Sequence, residues 1–436
     1  MTPKNGYSLQ EPTGITRISV AGFKSIAKEQ SIEIQPLTIL AGANSSGKSS
    51  IMQPLLLLKQ TLESSYDPGT LLLNGPNVRN SSVEQIFSII GKNKFSPDFQ
   101  IEVATAEYDL LGIKFSREVK RKLAITEMTL SSDGSEKVAI YPEMTSKKIK
   151  MVVQELNPKI LELLYSEDEL QVRQERCFLQ IVSKETPVTV CVSPGAWIKS
   201  HILGLIHVPG LRGNMETTYK VSAVGEVFPG TFENYVASVI SSWQSNSRQI
   251  SLIGQNLEML GLTWKIIAEP INDTQVELKV GRLPKKGNGS ADDVVNISQV
   301  GFGVSHILPV LVALLVAESG QLVYLEQPEI HLHPRAQTAM AQILADAAMR
   351  GVRVVAETHS SLLLLGIQTL VAEGKLPPEL VKLHWFTRDK DGATTIRSAD
   401  LDEAGAFGDW PEDFADVELA AESRYLDAAE ARQRVH

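Results

Sequence analysis

The chain has 436 residues, 43% apolar and 21% charged, with a formal net charge of −9. That length exceeds what one hydrophobic core ordinarily serves, so two lobes, or one domain with a large insertion, are expected. The acidic balance excludes a global basic field that would draw the chain onto nucleic acid; any DNA contact has to come from a local patch or from a groove formed on dimerisation. Cys177 and Cys191 sit in apolar surroundings without metal-ligand spacing, as core residues of a cytosolic protein do. The start of the chain has no basic-then-apolar pattern, and the apolar runs Ile307–Ala317 and Leu362–Gly366 are too short to span a bilayer. The expectation is a soluble cytoplasmic protein with no membrane partner.

Residues 1–14 are polar and expected to fray. Ile15–Val20 and Ile32–Ile34 alternate as strands do and flank Gly22-Phe23-Lys24-Ser25-Ile26. Leu37–Ala41 reads as a short buried strand, and a helical apolar run begins at Ile51 and extends to about Glu63. Between them Gly42-Ala43-Asn44-Ser45-Ser46-Gly47-Lys48-Ser49 fits G-x-x-x-x-G-K-[ST] without a mismatch, and Ser50 follows. A loop at this place offers backbone N–H groups to a phosphate, with no Cβ at Gly42 or Gly47 to block the approach. The helix start adds partial positive charge. Lys48 is expected to reach the β/γ-phosphates and the Ser49 hydroxyl a bound Mg²⁺. The motif predicts a nucleoside triphosphate site.

Leu71–Val78 reads as a strand and turn, and Ser82–Ile90 as a short helix. From about Phe95 the character changes: Gln100–Ala106, Ile113–Arg117 and Lys122–Leu130 read as strands, with a turn over 131–135 and a mixed helical stretch from Ser146 to Gln174. Arg117, Lys120, Arg121 and Lys122 form the densest basic cluster, either a solvated strand edge or a nucleic-acid contact. Leu205–Gly213 is a strand ending in a Pro/Gly turn, Phe232–Trp243 a helix, Ile266–Arg282 two strands about an Asn272-Asp273 turn, and Pro284–Ser290 an exposed loop.

Beyond Val294, Ser298–His306 leads into an apolar helix ending near Glu318. Leu322–Leu325 is a buried strand ending at Glu326, Ala336–Met349 a helix, and Val352–Ala356 a second buried strand ending at Glu357-Thr358-His359-Ser360. Strand, helix and strand with polar residues at the strand ends make a parallel α/β pattern, so the nucleotide core is split between the two ends of the chain. A P-loop needs an acidic residue at the end of a neighbouring strand to hold Mg²⁺, and Glu326 is the candidate beside Ser49. A strand that merely ends in a solvated carboxylate shows the same pattern.

Phe23-Lys-Ser-Ile, the phosphate loop, Gly301-Phe-Gly-Val-Ser, Glu326-Gln-Pro-Glu-Ile-His-Leu-His-Pro and Glu357-Thr-His-Ser, in that order, resemble the ABC-type ATPases of the RecF/SMC/OLD group. The similarity is greatest to stand-alone bacterial AAA family ATPases related to the OLD nucleases. It implies an α/β ABC-type P-loop ATPase head with a split nucleotide core. Residues 1–95 would carry Walker A, and 291–380 the signature loop, Walker B and switch histidine. Residues 96–290 would be an α+β insertion, and 381–436, with Trp410-Pro-Glu-Asp-Phe, a small C-terminal module. Gly301 and Gly303 would cap the γ-phosphate of ATP held by a partner protomer, with Ser305 supplying the hydroxyl. His359 would sense the γ-phosphate and help place the attacking water. His331 and His333 would lie in a loop near the dimer interface, since His-x-His-Pro without further ligands is poor evidence for zinc.

The resemblance has one departure. The usual Walker B ending is Asp-Glu, and here it is Glu326-Gln327. An amide accepts no proton, so Gln327 can position water but cannot act as a general base. Three outcomes follow: slow hydrolysis with ATP binding as the signal, Glu329 standing in as base, or Gln327 sufficing by positioning alone. The function implied is an ATPase, slow in turnover, whose ATP-held homodimer or higher oligomer gates an effector in trans, such as a nuclease or toxin in anti-phage defence. Only a short segment follows Val381, and Asp389-Lys-Asp-Gly reads as a hairpin turn, so no intrinsic Toprim nuclease is expected. A RecF-like DNA-binding clamp and a non-hydrolysing ATP-sensing scaffold stand as alternatives.

Overall fold

The computed structural model describes residues 13–90, 94–106, 110–117, 123–131, 136–156, 169–184, 196–212, 216–282, 293–408 and 423–425. Most of the expected N-terminal fray, the basic residues Lys120, Arg121 and Lys122, Cys191, the 284–290 loop, the turn at 132–135 and the Trp410 motif lie outside them.

Apolar runs that end in a polar residue become the parallel strands of a central six-stranded sheet. Its order is Ile206–Val208, Leu322–Glu326, Arg353–Thr358, Leu37–Gly42, Val381–Arg388, Thr394–Asp400. The first five run parallel, and the last returns antiparallel through a turn in which the Asp389 carboxylate accepts from the N–H groups of Asp391 and Ala393. The α/β class and the split of the nucleotide core agree with the expected ATPase head. Three strands come from outside the ranges expected for that core: Ile206–Val208 lies within 96–290, and Val381–Arg388 and Thr394–Asp400 within 381–436.

Successive side chains of a strand point to opposite faces, which divides the core in two. Leu37, Ile39, Ala41, Val323, Leu325, Val354 and Ala356 pack against one cluster, which includes the buried faces of the helices Phe302–Val316, Pro334–Met349 and Ser361–Ala372. Leu40, Leu322, Tyr324, Val355 and Phe386 face the other cluster, with the helix Lys48–Glu63 that follows the phosphate loop. That second layer is closed by an antiparallel sheet in the order Gln30–Glu33, Ile15–Ala21, Asp98–Thr105, Leu110–Arg117, Leu123–Ser131, Val138–Ile140. Ile266–Asn272 and Gln275–Gly281 form the expected hairpin, extended by Tyr219–Lys220 and Val294–Asn296.

Several local expectations change. Ser82–Ile90 contains only a 3₁₀ turn, Val83–Ile86, before the short strand Ile89–Ile90. Leu71–Val78 forms no strand; Asn74 bridges Arg79, and the Gln60 side chain takes up the N–H groups of Asn77 and Val78. Ser146–Gln174 is a helix over Ser146–Leu156 and then a strand from Leu170. Arg117 is ion-paired with Glu84 at 3.3 Å. Cys177 is buried, and burial pushes its thiol up to about 12. No helix among the described residues is long and apolar enough to cross a membrane.

Candidate functional site

The phosphate loop leaves the C-terminal end of Leu37–Gly42 and enters Lys48–Glu63 through Gly47. Gly42 has φ 142°, Ser45 φ 61° and Gly47 φ 102°, a run of backbone that only glycine adopts freely. A Cβ on Gly42 would lie 2.3 Å from the Phe386 carbonyl oxygen, and one on Gly47 2.2 Å from Thr394 Oγ1. The glycines are therefore required by the strands packed behind the loop, and not only by the approach of a phosphate. The loop, His359 and Trp385–Arg388 line a cavity of about 510 Å³.

Lys48 is buried, and its ammonium donates to the carbonyls of Gly42 (3.0 Å) and Ala43 (2.9 Å). Burial holds it below the usual lysine range, against the opposing pull of Glu357 and Glu329. Ser46 Oγ is buried in the same loop without a hydrogen-bond partner. A buried cation satisfied only by loop carbonyls, beside an unpartnered hydroxyl, suits an incoming phosphate oxygen.

No direct hydrogen bond joins Ser49 to Glu326, the two residues expected to hold the cation. The Ser49 hydroxyl donates to Glu357 Oε2 at 2.9 Å, and the Tyr324 hydroxyl bonds the other oxygen, Oε1. The reason is strand order. Arg353–Thr358 lies next to the P-loop strand and Leu322–Glu326 lies beyond it, with Glu326 opposite Glu357. Burial, then the charge of Glu326, push the Glu357 carboxyl up to about 7, against the bonds from Tyr324 and Ser49 and the charge of Lys48. Burial also acts to raise Glu326, but His207, the Gly210 N–H and Arg212 outweigh it and hold the carboxyl below its usual value. Glu326 Oε2 accepts from Gly210 N at 2.9 Å, and Oε1 lies 3.3 Å from His207 Nε2; the other ring nitrogen of His207 is bonded to Asn77.

Gln327 takes left-handed backbone, φ 46°, and its N–H donates to the Glu357 carbonyl. Arg212 fixes this corner. Its buried guanidinium donates to the carbonyls of Pro209, Glu326, Gln327, Pro328 and His306, joining the Walker B turn to the signature helix. Burial lowers its pKa to about 10. Glu329 Oε1 accepts from Thr358 Oγ1 (2.6 Å) and His359 N (3.1 Å), while Oε2 is buried without a partner. Its carboxyl is raised, mainly by burial. His359 is half-buried, and burial and Lys48 hold its imidazole low while the Gly42 carbonyl opposes them.

The signature segment lies elsewhere. Gly301 is the exposed N-cap of Phe302–Val316, Phe302 is exposed, and Gly303 abuts Leu262. Ser305 is buried, donates to the Phe302 carbonyl, and lines a separate cavity of about 580 Å³ with His306 and Arg212, so its hydroxyl is not presented outward as expected. His333 caps the helix Pro334–Met349, accepting from Arg335 N, and His331 packs edge-on to His306 at 4.6 Å. No group of three or more His, Cys, Asp or Glu side chains that could hold a metal occurs among the described residues. A cation here would take Ser49 Oγ as its protein ligand, with the buried carboxylates close by and phosphate and water completing the shell, the habit of Mg²⁺.

Sequence reasoning missed Glu357, Tyr324, His207 and Arg212. Glu357 and Arg212 stood inside quoted motifs, but the strand order that gives them their places is not written in any motif.

Among curated proteins none matches the chain. Similar solved structures include an Smc head bound to the C-winged helix domain of ScpA, at 12% identity and TM-score 0.45, covering 90% of this chain and 99% of that one. The SMC head domain from Thermotoga maritima is 9% identical with TM-score 0.39, covering 88% and 98%. An Smc head domain with an extended coiled coil, bound to the C-terminal domain of ScpA derived from Pyrococcus furiosus, is 10% identical with TM-score 0.44, covering 89% and 96%. The AAA ATPase domain matches residues 14–364, a span that holds the phosphate loop, the Walker B turn and His359. The chain belongs to the AAA ATPase domain family.

Proposed function

We propose that the chain is an ATP-operated switch: a Mg²⁺–ATP-binding head that closes on a second copy of itself, hydrolyses slowly, and in its closed state controls a protein effector. The observation that carries this reading is the convergence of Lys48, Ser49, Glu357 and His359 at two adjacent strand ends. Bound Mg²⁺–ATP supplies the phosphoanhydride whose cleavage resets the switch. The protein's part is to bind and orient. Lys48 and the loop N–H groups take the phosphates, and Ser49 takes the cation. Glu329, held through Oε1 against Thr358 and the His359 amide, sets the position of the histidine, and its unpartnered Oε2 keeps it as the alternative base. Gln327 can hold a water but accepts no proton, which favours slow turnover and a long-lived closed state. The exposed helix start at Gly301 supports the reading that Gly301 and Gly303 meet the nucleotide of a second copy.

The effector, its nuclease or toxin character and the anti-phage setting rest on the motif resemblance alone, and the cytoplasmic location on composition. The non-hydrolysing scaffold is the second reading, and Gln327 is what favours it. The DNA clamp has less to rest on, since Arg117 is already paired with Glu84.

The test is ATP affinity and turnover of the purified chain, with light scattering for mass with and without ATP. Lys48→Ala should abolish binding and ATP-dependent association. Gln327→Glu should raise turnover by about 10²–10⁴-fold, the range ascribed to general base catalysis. An unchanged rate would discard the slow-hydrolysis argument, and unchanged mass with ATP would discard the closing switch.

A further inference from the structure

We propose that His207 is a positioning residue for Glu326. With the Gly210 N–H it fixes the direction in which that carboxylate meets a hydrated cation, and Asn77 ties it to the helix that carries Ser49. The inference rests on the reading of the phosphate loop as a Mg²⁺–ATP site with Glu326 at its acidic end.

Three observations carry it. The first is that one short segment, residues 206–210, holds both oxygens of Glu326. His207 Nε2 lies 3.3 Å from Oε1, and the Gly210 N–H donates to Oε2 at 2.9 Å. Parallel pairing sets this up, with His207 opposite Tyr324 and Val208 opposite Leu325. Burial acts to raise the Glu326 carboxyl, but His207, the Gly210 N–H and Arg212 hold it below its usual value. An ionised carboxylate only accepts, so Nε2 carries the proton turned to Oε1, and each oxygen keeps a lone pair for water. The Glu326 side chain is 27% exposed, so water reaches it. Leu322–Glu326 lies one strand beyond Arg353–Thr358, the neighbour of the P-loop strand, so its carboxylate would meet the cation through water. Mg²⁺, which keeps several of its waters, suits such a contact.

The second is that His207 is itself fixed. The ring is 1% exposed and stacks on Tyr324, with centroids 5.3 Å apart and planes at 13°. Its Nδ1 faces the Asn77 side-chain amide at 3.0 Å. An amide can turn either its oxygen or its nitrogen to the ring, so this bond holds whether or not Nδ1 carries a proton. The third is where Asn77 comes from. Gln60, buried in the helix Lys48–Glu63, accepts from the N–H groups of Asn77 (3.2 Å) and Val78 (2.9 Å) and donates to the Val78 carbonyl (3.2 Å). The helix that presents Ser49 thus also anchors the chain of contacts that ends at Glu326. A ring kept for packing alone would be served by phenylalanine, without the cost of burying two ring nitrogens.

The experiment titrates Mg²⁺ into the full chain at fixed fluorescent ATP analogue, with affinity in EDTA measured alongside. His207→Phe keeps a ring to stack on Tyr324 but has no ring nitrogen. It should keep the EDTA affinity and move the Mg²⁺ midpoint upward by about 10–100-fold, the usual effect of removing a group that orients a metal ligand. Asn77→Ala should move it in the same direction by less. Glu326→Gln should move it at least as far as His207→Phe. Adding His207→Phe to Glu326→Gln should move it no further, because the histidine acts through the carboxylate. A parent-like midpoint in His207→Phe or in Glu326→Gln, or a full further shift in the double variant, overturns the assignment. Ser49→Ala separates the two levels: if it leaves the midpoint untouched, the Mg²⁺–ATP reading itself falls. If His207→Phe does not fold by circular dichroism, Asn77→Ala decides, and an unchanged midpoint there overturns the proposal.

Discussion

Arg212 spends its guanidinium donors on backbone carbonyls, among them three consecutive ones, Glu326, Gln327 and Pro328. That explains how Gln327 is held at a positive φ, a conformation that costs a non-glycine residue roughly 1 kcal/mol or more. Removing Arg212 would strand buried acceptors and release the strained turn together. Arg212→Ala should lower stability by on the order of 3 kcal/mol, read from denaturant midpoints. Arg212→Lys should recover little of it, because an ammonium lacks the planar fork that reaches several carbonyls at once. Turnover should fall in both variants even where folding is restored by cold or osmolyte, since Gln327 and the His306 carbonyl share the same anchor.

At the scale of elements, the phosphate loop is supported from behind by the strands Val381–Arg388 and Thr394–Asp400. Thr394 Oγ1 donates to the Ser46 carbonyl at 2.8 Å and lies 2.8 Å from Ser25 Oγ, whose hydroxyl is free to donate to it; Arg388 Nε donates to the Ser45 carbonyl. Gly47→Ala would drive a Cβ into Thr394 and Ser25 at φ 102° and should cost on the order of 2 kcal/mol, with loss of nucleotide affinity beyond that of a surface Gly→Ala control. The loop itself was fully legible in the sequence, because its spacing is local and its flanking strand and helix are strongly apolar. So were Leu322–Glu326 and the strand ending at Thr358, whose buried runs contrast with their polar ends. What was not legible is adjacency. Which strand lies next to Leu37–Gly42 is decided by how distant segments pack, so the bond from Ser49 to Glu357 could not be foreseen. Ile206–Val208, three residues long, carries too little periodicity to announce membership of the sheet. The helix Ser247–Met259 went unread because its apolar positions are sparse and its cap, Asn246, is a common turn residue.

In the whole molecule, His384 joins the two layers. Its Nε2 is bonded to the Glu33 carbonyl, which can only accept, so Nε2 carries the proton and Nδ1 accepts from Ser398. Burial, aided by Lys382, lowers the imidazole to about 4. The unfolded ring therefore takes a proton between pH 6.5 and about 4 that the folded ring refuses, so stability falls as pH drops through that window and levels off below it. The loss amounts to about 3 kcal/mol, and denaturant midpoints across that range should show it in the parent and not in His384→Gln. The central sheet also sets an order on biosynthesis. The phosphate loop leaves the ribosome long before the segments it packs against: Ser49 meets its carboxylate 308 residues later, and the strand Val381–Arg388 behind the loop follows later still. Throughout that interval Leu37–Gly42 lacks both of its sheet neighbours and is largely apolar, the kind of exposed strand edge that invites misassembly. A chain released before Arg388 lacks the support on which Ser45 rests. Nucleotide binding thus certifies that translation has run almost to the end of the sheet.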